Sequence, residues 1–165
     1  MNGRVLSNKI PGAPNFTYGE LIKSDAALRL GISNIPNELQ WANLELVAQR
    51  ILQPVRHEFG RIRITSGFRT SELCVAIGST KKSTHTFGWA VDFEPINPNI
   101  SLFNVLAWVY HNLEFDTLIA EYFPAGWIHC THSNDPNMKR HRLKLKDATH
   151  NYDIVSIGNL RRLYG

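Results

Sequence analysis

The stretch Ser83-Thr84-His85-Thr86-Phe87-Gly88-Trp89-Ala90-Val91-Asp92-Phe93 sets a histidine in a polar loop and an acid on a short β-prone run. From Trp89 to Phe93 large and small side chains alternate, so Ala90 and Asp92 are expected on one face of a strand and Trp89, Val91 and Phe93 on the other. Asp92 is then the one charged group on that strand. A carboxylate on a short apolar strand is costly to bury unless it is paired or coordinates a metal, which makes His85 and Asp92 half of a metal site. The plainer reading ends an edge strand in water at Asp92 and leaves His85 an ordinary loop residue. One histidine-to-acid spacing does not choose between the two.

Outward from this stretch, helical patterns dominate the N-terminal side and strands the remainder. Residues 1–14 read as an irregular arm. Thr17 and Glu20 have capping-box spacing and open a helix over part of 18–30, with a break near Ser24 or a stop at Gly31. From about 36 to 59, Leu39, Leu44, Leu46, Val47, Ile51 and Leu52 form a wide apolar stripe, which Pro54 kinks or divides. Arg61-Ile62-Arg63-Ile64-Thr65 alternates as a strand with its isoleucines inward. It enters Ser66-Gly67-Phe68-Arg69, a turn with a cationic tip, and 71–77 is a short helix ending at Gly78.

Beyond Asp92, Ser101 to Leu113 reads as a helix with Leu102, Val105, Leu106 and Val109 on its core side. Asp116–Tyr122 and Trp127–Thr131 read as two strands of a hairpin across Phe123-Pro124-Ala125-Gly126. Helices first, then strands with one helix between them, predict an α+β fold, a mostly antiparallel sheet with N-terminal helices packed on it.

Composition bounds the class. A chain of 165 residues, 43% hydrophobic and 19% charged, is ordinary for one globular domain with a real core. Two cysteines, Cys74 and Cys130, are too few for a disulfide framework and too far apart for a zinc knuckle, so both read as reduced packing residues. Asn8, Lys9, Pro11, Gly12 and Pro14 interrupt any secretory core, and no membrane-spanning run exists. The expectation is cytoplasmic synthesis without a signal peptide, with export left to another agent. The net charge of +4 is concentrated in the basic segment 139–165, above all 139–146. That run suits an anionic partner such as nucleic acid, cell-wall polymer or membrane surface, or is a solvated helix or strand face. A nucleic-acid reading has only this charge behind it and no motif, so no nucleic-acid partner is expected.

In Trp127-Ile128-His129-Cys130-Thr131, alternation turns Trp127, His129 and Thr131 to one face and Ile128 and Cys130 to the core. If that face looks at His85 and Asp92, two histidines and a carboxylate form a three-ligand zinc set with an open fourth position. Zinc in such a site acidifies a water to near neutrality and polarises a carbonyl.

The combination Ser83-x-His85-x-x-Gly88-x-Ala90-x-Asp92, Phe115-Asp116-x-Leu118-Ile119-x-Glu121 and Trp127-Ile128-His129 resembles the zinc D-alanyl-D-alanine carboxypeptidase family (peptidase M15-type). That group also holds phage peptidoglycan endopeptidases, the vancomycin-resistance dipeptidases and the related hedgehog signalling domain. The likeness runs from about Phe16 to the mid-140s, with Tyr18-Gly19-Glu20-Leu21 and Pro54-Val55-Arg56 similar to the short phage-encoded branch. It implies a hedgehog-like fold and zinc held by His85, Asp92 and His129. It also implies a role for Arg69 beside the metal, where a fixed guanidinium meets substrate or oxyanion charge, and a substrate contact for Ser83. Arg69 as a salt bridge pinning its turn, and Ser83 as a loop cap, are the structural alternatives.

Many such relatives carry an acid three residues before the last histidine. Here that residue is Gly126, so the general base falls to Glu121, with Asp116 a distant second. A four-residue loop at 123–126 would pair Glu121 with Ile128 and turn it away from His129; a five-residue loop from 122 to 126, or a bulge that Gly126 permits, would turn it toward the zinc. Trp127 is expected to wall the cleft and Trp89 to pack in the core. His57, His111, His132, His141 and His150 are expected at the surface.

The expectation is a monomeric zinc peptidase of one domain, residues 1–165, cutting an amide bond in peptidoglycan stem peptides as a phage endolysin or virion-associated lysin. It would act on the bacterial wall without inserting into a membrane. The rival is a non-catalytic zinc-containing wall-binding or structural module, favoured by the absent acid at 126.

Overall fold

The computed structural model describes residues 4–134, 142–146 and 152–164. The N-terminal segment is a built part of the fold and not an irregular arm. Strands β1 (Lys9–Ile10) and β2 (Ala13–Thr17) pair antiparallel, and Ile10, Ala13 and Phe16 are buried in the core. Arg4 pins this segment to the third helix through Glu38 at 2.7 Å and Glu45 at 2.8 Å.

Helix α1 (Tyr18–Ile22) has the Thr17–Glu20 capping box, and Ser24 caps α2 (Asp25–Leu30), which ends at a left-handed Gly31. Helix α3 (Glu38–Val47) continues through a π-helical turn, Ala48–Leu52, into α4 (Gln53–Phe59). Pro54 has no N–H to give the preceding turn. The wider turn accommodates it, with Gln53 N–H reaching back to Ala48 O, so the helix runs on without division. Its buried stripe is Trp41, Leu44, Val47, Ala48, Ile51, Leu52 and Val55. Leu39 lies off that stripe at 71% exposed, because the helical period selects Trp41 in its place.

Six strands form the main sheet in the order β3 (Ile62–Ser66), β4 (Ala90–Pro95), β6 (Trp127–Thr131), β5 (Thr117–Glu121), β7 (Arg142–Lys146), β8 (Tyr152–Ile154). All neighbours are antiparallel except β5 and β7, which run parallel. The fold is therefore α+β with a mostly antiparallel sheet. Within the basic segment, Arg142–Lys146 is an inner strand of the sheet; Lys139, Arg140, His141 and His150 lie outside the described residues.

Strand alternation gives the sheet two unlike faces. Val91, Phe93, Leu118, Ala120, Ile128, Cys130 and Leu143 face the core, covered by α3, α4 and α6 (Leu102–Asn112). Cys74, on α5 (Ser71–Ala76), and Cys130 are free and buried. Burial pushes both thiols up from their ordinary value, which suits packing and not reactivity. The last helix, α7 (Ile157–Tyr164), returns Leu160 to the core. Among the described residues no helix is long and apolar enough to cross a membrane.

Candidate metal centre and cleft

The other face of the sheet floors an open cleft of about 1350 Å³. Asp92 stands opposite His129 on β6, and His129 stands opposite Ile119 on β5. His85 arrives from outside the sheet, on a 3-10 turn (Thr84–Phe87) closed by Gly88 at φ 76°. A side chain at Gly88 would meet the Gln40 carbonyl of α3, so only glycine lets this turn pack against the helix. Gln40 and Asn43 bind the carbonyls of Thr86 and Phe87, each at 2.8 Å, and hold the turn in place.

His85, Asp92 and His129 are all buried, and one donor atom from each lies within 4.8 Å of the others. His129 Nδ1 is 2.7 Å from Asp92 Oδ1, and His85 Nε2 is 3.3 Å from Asp92 Oδ2. His85 Nδ1 donates to the Gly67 carbonyl at 2.5 Å. That bond assigns the tautomer: the neutral ring turns the lone pair of Nε2 toward the carboxylate. Burial pushes His85 below the ordinary histidine range, against the pull of Asp92, so the ring stays neutral. Burial also works to raise Asp92, but the hydrogen bond that His129 donates helps to hold the carboxyl well below the usual range. A lone pair and an anionic oxygen facing each other at 3.3 Å repel unless a cation lies between them. Two imidazoles and a carboxylate are the donor set of an open catalytic zinc site, so the residues fit a metal.

Arg69 donates from Nη2 to Asp92 Oδ2 at 3.1 Å, and its buried Nε has no partner among the described residues. The turn that carries it is secured by two neighbours. Phe68 is buried and its N–H binds Leu21 O at 2.7 Å. Asn34 binds the carbonyls of Ile22 and Phe68 at 2.8 and 2.9 Å and accepts the Thr70 N–H at 3.0 Å. A lone buried asparagine in a loop gives no pattern from which this role could be read.

Glu121 stands opposite Trp127 across a five-residue loop, 122–126. It therefore shares the cleft face with His129, its diagonal neighbour on the next strand. Tyr122, at φ 55°, takes the left-handed position where Gly126 was the expected one. Gly126 serves close approach instead, since a Cβ there would collide with the Glu121 carbonyl. Ser83 and Trp127 line the same cleft. The Trp127 indole lies 5.1 Å from the Tyr122 ring, and its buried Nε1 has no partner among the described residues.

Several expectations are corrected. Asp92 shares strand and face with Glu94, which is ion-paired to Arg63, because β4 extends to Pro95. Asp116 is buried off the cleft and accepts the Ser133 N–H at 2.6 Å, so it holds the chain leaving β6. His132 is buried against the Glu114 carbonyl at 3.0 Å and not at the surface; His57 and His111 are exposed. Trp89 is half-buried and stacks on Phe87 at 5.0 Å instead of joining the core. Lys144 and Lys146 line the cleft, a placement missed although Arg142-Leu143-Lys144-Leu145-Lys146 carries strict alternation.

No curated protein matches the chain. The family model described as Peptidase M15 matches residues 14–131. That span is well over half of the chain and contains every residue of the His85, Asp92, His129 and Arg69 cluster, so the chain belongs to the Peptidase M15 family of metal-dependent peptidases.

Proposed function

We propose that the protein is a zinc-dependent peptidase that hydrolyses an amide bond in peptidoglycan stem peptides. The observation that carries this reading is one open cleft whose floor holds both the donor set His85, Asp92 and His129 and the carboxylate of Glu121. Zinc held by the three donors would supply Lewis-acid polarisation of the scissile carbonyl and acidify a water. Glu121 takes a proton from the attacking water and returns it to the leaving amine. Arg69, held beside Asp92, offers its guanidinium to the charge that grows on the carbonyl oxygen or to a substrate carboxylate. Ser83 and Trp127, on the cleft wall, orient the peptide. The resemblance of Tyr18-Gly19-Glu20-Leu21 and Pro54-Val55-Arg56 to the phage-encoded branch supports a lysin that works as a monomer on the bacterial wall, in lysis or from a virion.

Purified peptidoglycan tests the reading. Turbidity is expected to fall with the zinc-loaded protein and to hold steady with chelator or with Glu121→Gln. A zinc-loaded protein that releases no new amino groups from any wall preparation would favour the non-catalytic binding module.

A further inference from the structure

Strand β7 lies beyond the residues that the family model matches, yet it builds one wall of the cleft. Running parallel to β5, it sets Lys144 opposite Ile119 and Lys146 opposite Glu121. The Tyr122 N–H continues the pairing, binding Lys146 O at 2.9 Å. Leu143 is buried on the core face, so a slip of one residue would turn the lysines into the core. Lys146 Nζ is 2.9 Å from Glu121 Oε2, with the two side chains only 16% and 8% exposed. The same ammonium sits 5.3 Å over the Tyr122 ring.

We propose that Lys146 is a positioning residue for Glu121, fixing Oε2 so that Oε1 is left to take the proton from the attacking water. The proposal rests on the reading of Glu121 as general base. A glutamate has several side-chain torsions, and ordering them costs conformational entropy. An ion pair formed before substrate arrives meets that cost in advance, which is how a supporting residue holds a reacting group in productive geometry. A carboxylate this buried also needs a compensating cation. When Glu121 is transiently protonated, the Tyr122 ring face stabilises the ammonium that has lost its partner charge.

The test uses the full chain, zinc-loaded, with solubilised cross-linked peptidoglycan as the probe, and compares wild type, Lys146→Met, Lys146→Arg, Glu121→Gln and the double variant Glu121→Gln/Lys146→Met. Lys146→Met is expected to lower kcat by about 10- to 100-fold, with KM within about twofold and zinc content unchanged. Lys146→Arg should recover most of the loss. In the Glu121→Gln background the Met substitution should cost nothing further, because the group it positions is gone. Should the Met variant not fold, Lys146→Gln keeps a polar chain at the same place and carries the same comparison. Wild-type kcat in the Met or Gln variant, a loss confined to KM, or an equal loss in the Glu121→Gln background would overturn the proposal. Full activity in Glu121→Gln overturns the base reading and this proposal together, whereas an inactive Glu121→Gln beside a fully active Lys146→Met overturns only the latter.

Discussion

The two faces of the main sheet are made by the same strands and obey opposite rules. On the core face Val91, Phe93, Leu118, Ala120, Ile128 and Cys130 are fully buried and apolar, and an apolar residue of similar volume and shape would keep the fold. One residue along each strand, Asp92, Glu121 and His129 are almost as deeply buried, but each is held by a specific partner: Arg69 and His129 around Asp92, Lys146 on Glu121. Burial on the first face lowers free energy by removing apolar area from water. On the second it has a cost that only correct partners offset. Substitutions on the core face should thus act on stability, and those on the cleft face on chemistry.

The sharpest break in this comparison is Asp92→Asn. It removes the anion between the two histidines, so zinc content measured on the purified protein should drop to a small fraction of wild type. Hydrolysis of peptidoglycan should fall to background, while circular dichroism stays native. Glu121→Gln leaves the donor set intact and is expected to bind zinc normally but lose about 10²- to 10⁴-fold in kcat, measured by release of new amino groups. Arg69→Lys keeps a positive charge but loses the planar fork that reaches Asp92. We expect a loss of about 10-fold in kcat/KM, with zinc retained. Ile128→Ala, on the opposite face of the strand that carries His129, should do the reverse. Urea unfolding should show a loss of about 3 kcal/mol, and the folded fraction should turn over substrate at nearly the wild-type rate. A kcat loss for Ile128→Ala as large as that of Glu121→Gln would mean that the two faces are not separable.

The same comparison shows how much was legible in advance. Period-2 alternation from Ala90 to Phe93 and from Trp127 to Thr131 sorted both strands into core and cleft sides, and the Thr17–Glu20 capping box and the apolar stripes located the helices before β5, whereas α7 was not foreseen. Errors fell where long-range contacts compete with local pattern. Leu39 looked like part of a stripe that Trp41 completes. His132 looked like a surface residue, but its partner is a carbonyl from the chain before β5. Asn34 carries no local signal, because its three hydrogen bonds run to segments brought together by folding.

The sequence by itself determined the donor types, their order and the sheet face that Asp92 and His129 take, since alternation along a strand and the chemistry of histidine and carboxylate are local properties. Only the tertiary structure decided which way Glu121 points. The length of the loop between paired strands sets their register, and a shift of one residue reverses every side chain; the five-residue loop 122–126 places Glu121 opposite Trp127 and on the cleft side. Lys146 likewise reaches Glu121 through a parallel pairing between β5 and β7, which no pattern within either segment encodes. The donor set was written in the chain, and the ion pair that holds the proposed base depended on strands meeting in space.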